Sequence, residues 1–368
     1  MIYLDHGATS FPKPRAVHDA MAQALRTCAN PGRGGHKPAM EAAKTVLECR
    51  KTAASFFGCQ PEQVVFTGNC TQGLNTAIFS LLKPGGRAVI SGFEHNAVTR
   101  PLYALGAKIT VAGRKLFDWE DTLEAFERAL RQGQDLAVFT MASNVFGYIL
   151  PVEEISKLCR TYGVPFVVDG AQGAGILPLD MEKLRADFIA MPGHKGLLGP
   201  QGTGILLCKE PPNPLIYGGT GSMSREQTMP DFLPDAGEAG TVNVPGIAGL
   251  QAGIQTVKAR GVKHILAKER RQAQLCAREL EKLGYRVFSG EHQLGTVSFV
   301  PKGDCEELAE YLACRGICVR AGLHCAPFAH ESAHTLDTGT VRISFGWDNT
   351  DRQREKLLEI LEKSPIQI

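Results

Sequence analysis

The chain has 368 residues, of which 43% are hydrophobic and 21% charged, a composition typical of a globular protein with more than one domain. Its 40 basic and 38 acidic residues give a formal net charge of +2, too even a balance to indicate a nucleic-acid partner. No apolar run reaches the roughly 18 residues of a membrane span, and the start of the chain lacks the pattern of a signal peptide. We therefore expect a cytoplasmic protein that binds neither nucleic acid nor membrane.

Eleven cysteines are scattered along the chain. Without a secretory signal, most are expected to be reduced and buried as small apolar residues. The closest group is Cys314, Cys318 and Cys325, whose spacing lacks the paired CxxC of structural zinc sites. No metal site is predicted.

Short β-rich runs alternate with helical stretches between about residues 60 and 210, which predicts an α/β domain with a mostly parallel sheet. The predicted strands cover residues 63–67, 88–91, 136–140, 165–169, 188–190 and 204–207. Helices are predicted between them, including 119–131 and 151–162. Ligands bind beyond the carboxyl ends of strands in such sheets, so functional residues are expected there.

A second, smaller α+β domain is predicted after the Gly- and Pro-rich passage 211–245. One helical segment is expected over 247–283, and its charged run 268–271 is interpreted as a solvated helix face. The later predicted strands are 295–300, 317–320 and 339–344, and the later predicted helices are 306–314 and 351–362.

A lysine, Lys195, lies among glycines between two predicted strands. A confined, partly desolvated amine loses its proton readily and can then form an imine, although glycines also serve any tight turn. Asp169 ends an apolar strand 26 positions earlier, where its carboxylate could bind a metal, a ribose or a protonated ring nitrogen. Beside a reactive lysine, the ring nitrogen of pyridoxal 5′-phosphate (PLP) fits best. Gln172 could then donate a hydrogen bond to the phenolic oxygen of that ring.

Two further turns follow predicted strands. The strand-to-helix turn at Thr71 offers backbone N–H groups for an anion, or Thr71 merely caps its helix. The turn is neither a Walker A loop nor a full GxGxxG, which disfavours nucleotide binding. His95 could stack on a flat ring or transfer protons, although a lone loop histidine is often inert.

The C-terminal part contributes a candidate nucleophile and a candidate carboxylate binder. Cys325 lies in a Gly- and Pro-punctuated loop with Arg320 and His324 close in sequence. Cationic neighbours lower the pKa of a thiol and favour the nucleophilic thiolate. Arg342, on a predicted strand, would suit a bidentate carboxylate.

Together these motifs resemble the class V aminotransferase family of fold-type I PLP enzymes, and within it the group II (SufS-like) cysteine desulfurases and selenocysteine lyases. The resemblance runs nearly end to end, through segments 3–9, 169–172, 193–195, 238–241, 320–325 and 340–342. It implies an α/β fold with a large PLP-binding domain, residues 13–246, whose mostly parallel mixed sheet lies between helices. Residues 1–12 and 247–368 would form the smaller α+β domain.

The resemblance also implies the cofactor contacts. Lys195 would be the lysine that binds PLP, Asp169 the partner of its ring nitrogen, Gln172 the contact of its phenolic oxygen, and His95 a catalytic residue stacked on the ring. The remaining cofactor contacts would be Cys70, Thr71, Asn144, His194 and Thr241, the last reaching the other subunit of a homodimer.

For the reaction, the resemblance implies conversion of L-cysteine to L-alanine. Arg342 would bind the substrate carboxylate, with Asn144 and Arg320 also near the substrate. Cys325 would take the sulfur as a persulfide for transfer to a protein or small-molecule acceptor. The alternatives are a selenocysteine lyase acting on L-selenocysteine, a cysteine sulfinate desulfinase, another class V enzyme, or a non-catalytic sulfur carrier or scaffold.

Three positions depart from the family pattern. Pro192 stands where relatives often have Ser or Thr, Cys70 where many have a hydroxyl residue or alanine, and His6 where Asn or Ser is more frequent. The segment 328–337 also differs from the usual continuation after the nucleophile. These departures concern the phosphate contacts and the sulfur acceptor.

Overall fold

The computed structural model describes residues 1–32 and 34–367. Thirteen strands occur in this part of the chain: β1 Ile2–Tyr3, β2 Val64–Thr67, β3 Arg87–Ser91, β4 Lys108–Ala112, β5 Leu136–Thr140, β6 Phe166–Asp169, β7 Phe188–Pro192, β8 Gly204–Cys208, β9 Arg286–Phe288, β10 Thr296–Val300, β11 Ile317–Cys318, β12 Arg320–Gly322 and β13 Thr340–Ser344. All six strands predicted between residues 60 and 210 are confirmed, with ends shifted by up to two residues.

Twelve α-helices are found in the same described residues: α1 Arg15–Thr27, α2 Lys37–Phe57, α3 Cys70–Leu81, α4 Asn96–Ala104, α5 Trp119–Arg131, α6 Val152–Thr161, α7 Met181–Leu184, α8 Val244–Arg260, α9 Val262–Lys282, α10 Cys305–Ala313, α11 Pro327–Ala333 and α12 Asp351–Glu362. None of these described helices is both long and apolar enough to cross a membrane.

The larger sheet has seven strands in the order β2-β8-β7-β6-β5-β3-β4. Only β8 runs against the others, because it pairs antiparallel with both β7 and β2 while every other pairing is parallel. The predicted mostly parallel α/β sheet is therefore confirmed. The carboxyl ends of β2, β3, β5, β6 and β7 all lie at one edge of this sheet.

Both faces of the larger sheet are buried. In β5, Leu136 and Val138 pack into the core on one face, whereas Ala137 and Phe139 pack into the core on the other. This is the period of two that an extended strand imposes on its side chains. Apolar residues in succession are therefore required here, as in other sheets covered by helices on both sides.

The second sheet is antiparallel, with the order β12-β13-β10-β9, and its core includes Leu280, Phe299 and Leu357 from the C-terminal part. The N-terminal segment joins it: β1 pairs in parallel with β11, and Asp5 forms a bridge to Ser344. The exact domain boundaries at residues 12/13 and 246/247 stay a prediction.

Three details of the C-terminal prediction were wrong. The helical segment 247–283 is two helices, because Gly261 has a φ of 82° that breaks the helix between α8 and α9. The predicted strand 317–320 is divided between two sheets as β11 and β12. The charged run 268–271 is not a uniformly solvated face, because Glu269 is 5% exposed.

Candidate active site

The carboxyl edge of the larger sheet carries a pocket formed by side chains that follow five of its strands. These belong to the turns after β2, β3, β5, β6 and β7, which parallel pairing brings together although they span more than 120 positions. The structure places eight of the predicted site residues in its lining: Cys70, Thr71, His95, Asn144, Asp169, Gln172, His194 and Lys195. Cys325, Arg320, Arg342 and Thr241 lie outside this lining.

Lys195 lies in the loop between β7 and β8 and lines the pocket together with Asp169. Burial lowers the pKa of Lys195, while the negative charge of Asp169 acts in the opposite direction. The backbone of the loop is folded on itself, with Gly199 N donating to Gly193 O at 2.8 Å. The glycines allow this close packing because a side chain at Gly196 would collide with the carbonyl of Ala174.

Asp169 ends β6 and is 2% exposed. Its Oδ1 accepts a hydrogen bond from Ala171 N at 2.8 Å and another from the Cys70 thiol, with Sγ at 3.5 Å. Among the described residues, none donates to Oδ2. This arrangement leaves one carboxylate oxygen for a protonated group in the pocket.

His95 is held in one tautomer by its position at the start of α4. Its Nδ1 accepts a hydrogen bond from Ala97 N at 3.0 Å, which caps the helix and puts the proton of the neutral ring on Nε2. Burial lowers the pKa of His95, so the neutral form is favoured at neutral pH. The ring can therefore donate a hydrogen bond from Nε2.

The start of α3 is capped by Asn69 and not by Thr71, because Asn69 Oδ1 accepts from Gln72 N at 2.9 Å. The alternative interpretation of Thr71 as a helix cap was therefore wrong. Thr71 lies in the first turn of α3 and lines the pocket, at the end of the helix where an anion is stabilised by the helix dipole.

Asn144 connects the pocket to two other predicted residues. Its Nδ2 donates to the backbone oxygen of His324 at 2.7 Å, next to Cys325 in the chain. Its own backbone oxygen accepts from Arg342 Nη1 at 2.9 Å. Asn144, in the turn after β5, therefore holds both the loop of the candidate nucleophile and the candidate carboxylate binder.

Arg342 is 2% exposed and is paired with a residue that was not predicted, Asp5. The Asp5 carboxylate accepts from Arg342 Nη2 at 2.7 Å and from Arg320 Nη2 at 2.8 Å, so it bridges the two arginines. The buried Nε of Arg342 has no hydrogen-bond partner among the described residues. A buried guanidinium with an unused donor suits an incoming carboxylate.

Cys325 is exposed, and its loop is fixed by backbone contacts. Asn96 N donates to Cys325 O at 2.8 Å, and both His324 and Cys325 have positive φ angles, of 50° and 56°. The expectation that His324 supplies a positive charge to the thiol was wrong. Burial holds the pKa of His324 well below its usual value, so its ring is neutral at neutral pH, leaving Arg320 as the cation nearby in sequence.

A cluster that sequence reasoning missed surrounds the backbone oxygen of His194. This oxygen accepts from the hydroxyl of Thr9 at 3.0 Å, from Ser10 through both N at 3.0 Å and Oγ at 3.1 Å, and from Lys13 Nζ at 2.7 Å. Burial lowers the pKa of Lys13 to about 8. The N-terminal segment thus holds the residue next to Lys195 in place. The sequence around residue 13 contains no pattern that predicts this contact.

Of the four predicted residues outside the pocket lining, two also lack a hydrogen-bond link to it through Asn144, namely Thr241 and Arg320. Thr241 is exposed and lines a separate groove with Gly68 and Gln72, while Asn30 Nδ2 lies 3.5 Å from its hydroxyl. Arg320 is about half exposed and is engaged by Asp5. Their predicted roles in cofactor and substrate binding stay predictions.

Known proteins resemble this chain both in sequence and in structure. The family model "Aminotransferase class-V" matches residues 2–357. A "probable cysteine desulfurase" of Pyrococcus abyssi is 34% identical over 99% of this chain and 94% of its own length, and a "cysteine desulfurase" of Escherichia coli is 32% identical over 99% and 93%. The solved apo structure of a cysteine desulfurase from Thermococcus onnurineus superposes with a TM-score of 0.89 at 32% identity, covering 98% of this chain and 94% of that one.

Proposed function

Because the chain belongs to the aminotransferase class-V family, we propose that it is a PLP-dependent cysteine desulfurase that converts L-cysteine to L-alanine and retains the sulfur on Cys325. The observation that carries the proposal is the arrangement around Asn144. This residue lines the pocket of Lys195 and Asp169 and bonds both Arg342 and the loop of Cys325.

The residues of the pocket fit PLP. Lys195 has a pKa lowered by burial, as an amine that bonds to an aldehyde requires, and Asp169 keeps Oδ2 for a ring nitrogen. Thr71 and the start of α3 offer donors to a phosphate, and Gln172 Nε2 uses one hydrogen on Gly7 O at 3.0 Å and keeps the other. When bound, PLP supplies an electron sink that stabilises negative charge at the α-carbon of an amino acid.

The substrate would be held by its carboxylate. The unused donor of Arg342 binds and orients it, while Asn144 and Asp5 fix the guanidinium. Lys195, favoured as a neutral amine by burial, then removes the proton from the α-carbon. The ammonium that Lys195 then carries is the acid that returns a proton as alanine forms, while His95, with its hydrogen on Nε2, donates a hydrogen bond in the pocket.

Sulfur transfer would use the exposed thiol. The thiolate of Cys325 forms a bond to the substrate sulfur as the carbon–sulfur bond breaks, and the electron pair of that bond departs with the carbon. Protonation of that carbon yields alanine, and Cys325 keeps a persulfide. Exposure of Cys325 leaves the persulfide open to an acceptor, either a protein or a small thiol.

The proposal is tested by the absorbance of the purified protein and by alanine and sulfide release from L-cysteine. We expect a yellow wild type, a Lys195→Ala variant slowed by about a thousandfold or more, and a Cys325→Ala variant that keeps PLP but releases no sulfur. Cys314→Ala, which removes another exposed thiol, is the matched control and should behave as wild type.

Two outcomes would contradict this assignment. Undiminished sulfur release by Cys325→Ala would remove the nucleophile from the mechanism, and a wild type that binds no PLP would remove the enzyme. Assays with selenocysteine and cysteine sulfinate belong in the same series, because a lyase or desulfinase would retain activity in Cys325→Ala with those substrates.

A further inference from the structure

Cys70 carries a buried thiol in the pocket that the reaction above does not use. It is the first residue of α3 and is 8% exposed, and its Sγ lies 3.5 Å from Oδ1 of Asp169. The thiol therefore contacts the carboxylate that is proposed to bind the ring nitrogen of PLP. Its role is therefore open to a test separate from that of Cys325.

The thiol acts as a donor in this contact. Burial raises the pKa of Cys70 well above its usual value, and the charge of Asp169 adds to this effect while Lys195 opposes it. The sulfur therefore keeps its hydrogen at neutral pH, and an ionised carboxylate can only accept.

The two oxygens of Asp169 are consequently unequal. Oδ1 accepts from Ala171 N and from the Cys70 thiol, whereas Oδ2 accepts from no described residue. Donors to one oxygen withdraw electron density from the whole carboxylate, so the other oxygen attracts a proton on a neighbouring ring less strongly. They also orient the group before any ligand binds.

We propose, on the premise of the PLP function above, that Cys70 is a positioning residue whose hydrogen bond to Oδ1 orients Asp169 and weakens the hydrogen bond that Oδ2 accepts from the cofactor's ring nitrogen, and thereby sets how tightly that nitrogen holds its proton. In this role Cys70 acts through Asp169, which differs from the direct cofactor contact that the family resemblance implied. Its loss should strengthen the hydrogen bond between the ring nitrogen and Asp169 and keep that nitrogen protonated to higher pH.

The experiment uses the holoenzyme loaded with PLP carrying 15N in the ring, whose chemical shift reports the protonation of that nitrogen directly. We expect Cys70→Ala to raise the midpoint of its deprotonation by about 0.5 to 1 pH unit, the size of one modest hydrogen bond. Cys70→Val, which restores bulk without a donor, should give the same shift. Cys70→Ser, which restores a donor, should lie closer to wild type.

Cys159→Ala is the matched control, because Cys159 is another buried thiol, 1% exposed, and lies in α6 outside the pocket lining. The proposal would be overturned if the ring nitrogen of Cys70→Ala and Cys70→Val lost its proton at the same pH as in Cys159→Ala, or at a lower pH. Such a result would leave the proposed function intact as long as wild type binds PLP and releases alanine. A wild type that fails to bind PLP would instead refute the proposed function, and with it the premise of this role.

Discussion

At the scale of single residues, the two arginines bridged by Asp5 differ in burial and therefore in expected effect. Arg342 is buried with an unused Nε donor, whereas Arg320 is half exposed and lies outside the pocket. We expect Arg342→Lys to raise KM for L-cysteine about tenfold to a hundredfold, because an ammonium cannot replace a bidentate guanidinium. Steady-state kinetics check this, with Arg320→Lys as the matched control.

Arg320→Lys should change KM less than about fivefold, since a screened, exposed contact contributes about 1 kcal/mol or less. An equal rise of KM in both variants would mean that Arg320 also binds the substrate, as the family resemblance implied. No change in Arg342→Lys would remove Arg342 from substrate binding.

The residues that sequence reasoning found are those whose chemistry is visible locally. Lys195 among glycines and Asp169 at a strand end are such cases, and the pocket brings them together. Asp5 and Lys13 were missed because their partners lie far along the chain, at Arg342 and at the backbone oxygen of His194. No spacing rule connects a residue to a partner that only the tertiary fold brings near.

At the scale of elements, two neighbouring strands are joined by one fully buried acid, Glu94. Its Oε1 accepts from the Ser91 hydroxyl in β3 and from Thr140 N in β5, while Oε2 has no partner among the described residues. Burial raises the pKa of Glu94 from 4.5 to about 8. The folded protein therefore binds a proton that the unfolded chain releases above about pH 4.5.

This linkage makes stability fall as pH rises. Between about pH 4.5 and 8 the native state binds more protons than the unfolded state, so the free energy of unfolding decreases with pH and levels off above pH 8. Glu94→Gln keeps a neutral side chain at every pH. We expect its melting temperature to fall less between pH 6 and pH 9 than that of wild type, by about 2 °C or more.

Thermal melts of the exposed Glu124→Gln variant serve as the control and should follow wild type. Part of the slope should persist in Glu94→Gln, because burial also raises the pKa of Glu269 to about 8. An unchanged slope in Glu94→Gln would show that Glu94 is already ionised in the folded protein at pH 6.

Helix and strand periodicity predicted elements well where one face or both faces are buried along the whole element, as in α5 and α12, whose bounds match the predicted ones. It failed at Gly261 and between Cys318 and Arg320, where the chain changes direction within a continuous pattern. Such a break depends on the backbone conformation of one residue, which the pattern of apolar and polar side chains does not reveal.

At the scale of the whole molecule, the N-terminal segment links the two sheets. Asp5 bridges to Ser344 of the antiparallel sheet, while Thr9, Ser10 and Lys13 contact the oxygen of His194 beside the larger one. The site is therefore completed by residues from both ends of the chain. The family resemblance predicted that residues 1–12 join the C-terminal part of the chain. Composition and periodicity alone could not have predicted this association.

In the predicted homodimer, we expect the subunits to meet near Thr241, at an exposed apolar surface. Thr241 lies outside the Lys195 pocket, and the segment before it exposes Ile216, Tyr217 and Met223, which are 54%, 76% and 52% exposed. Exposed apolar side chains concentrated in one segment are typical of a surface that another chain covers. We expect sedimentation to give twice the 39.7 kDa mass of the chain.

A mixture of two defective variants tests whether Thr241 acts across that dimer. Lys195→Ala cannot bind PLP covalently, and Thr241→Ala should bind it about five- to tenfold more weakly if one phosphate hydrogen bond is lost. In a heterodimer one site then combines an intact Lys195 with the intact Thr241 of the other subunit, so tight PLP binding should return at half of the Lys195-containing sites after subunit exchange of an equal mixture. If Thr241 instead acts within its own subunit, mixing restores nothing, since no subunit then carries both residues.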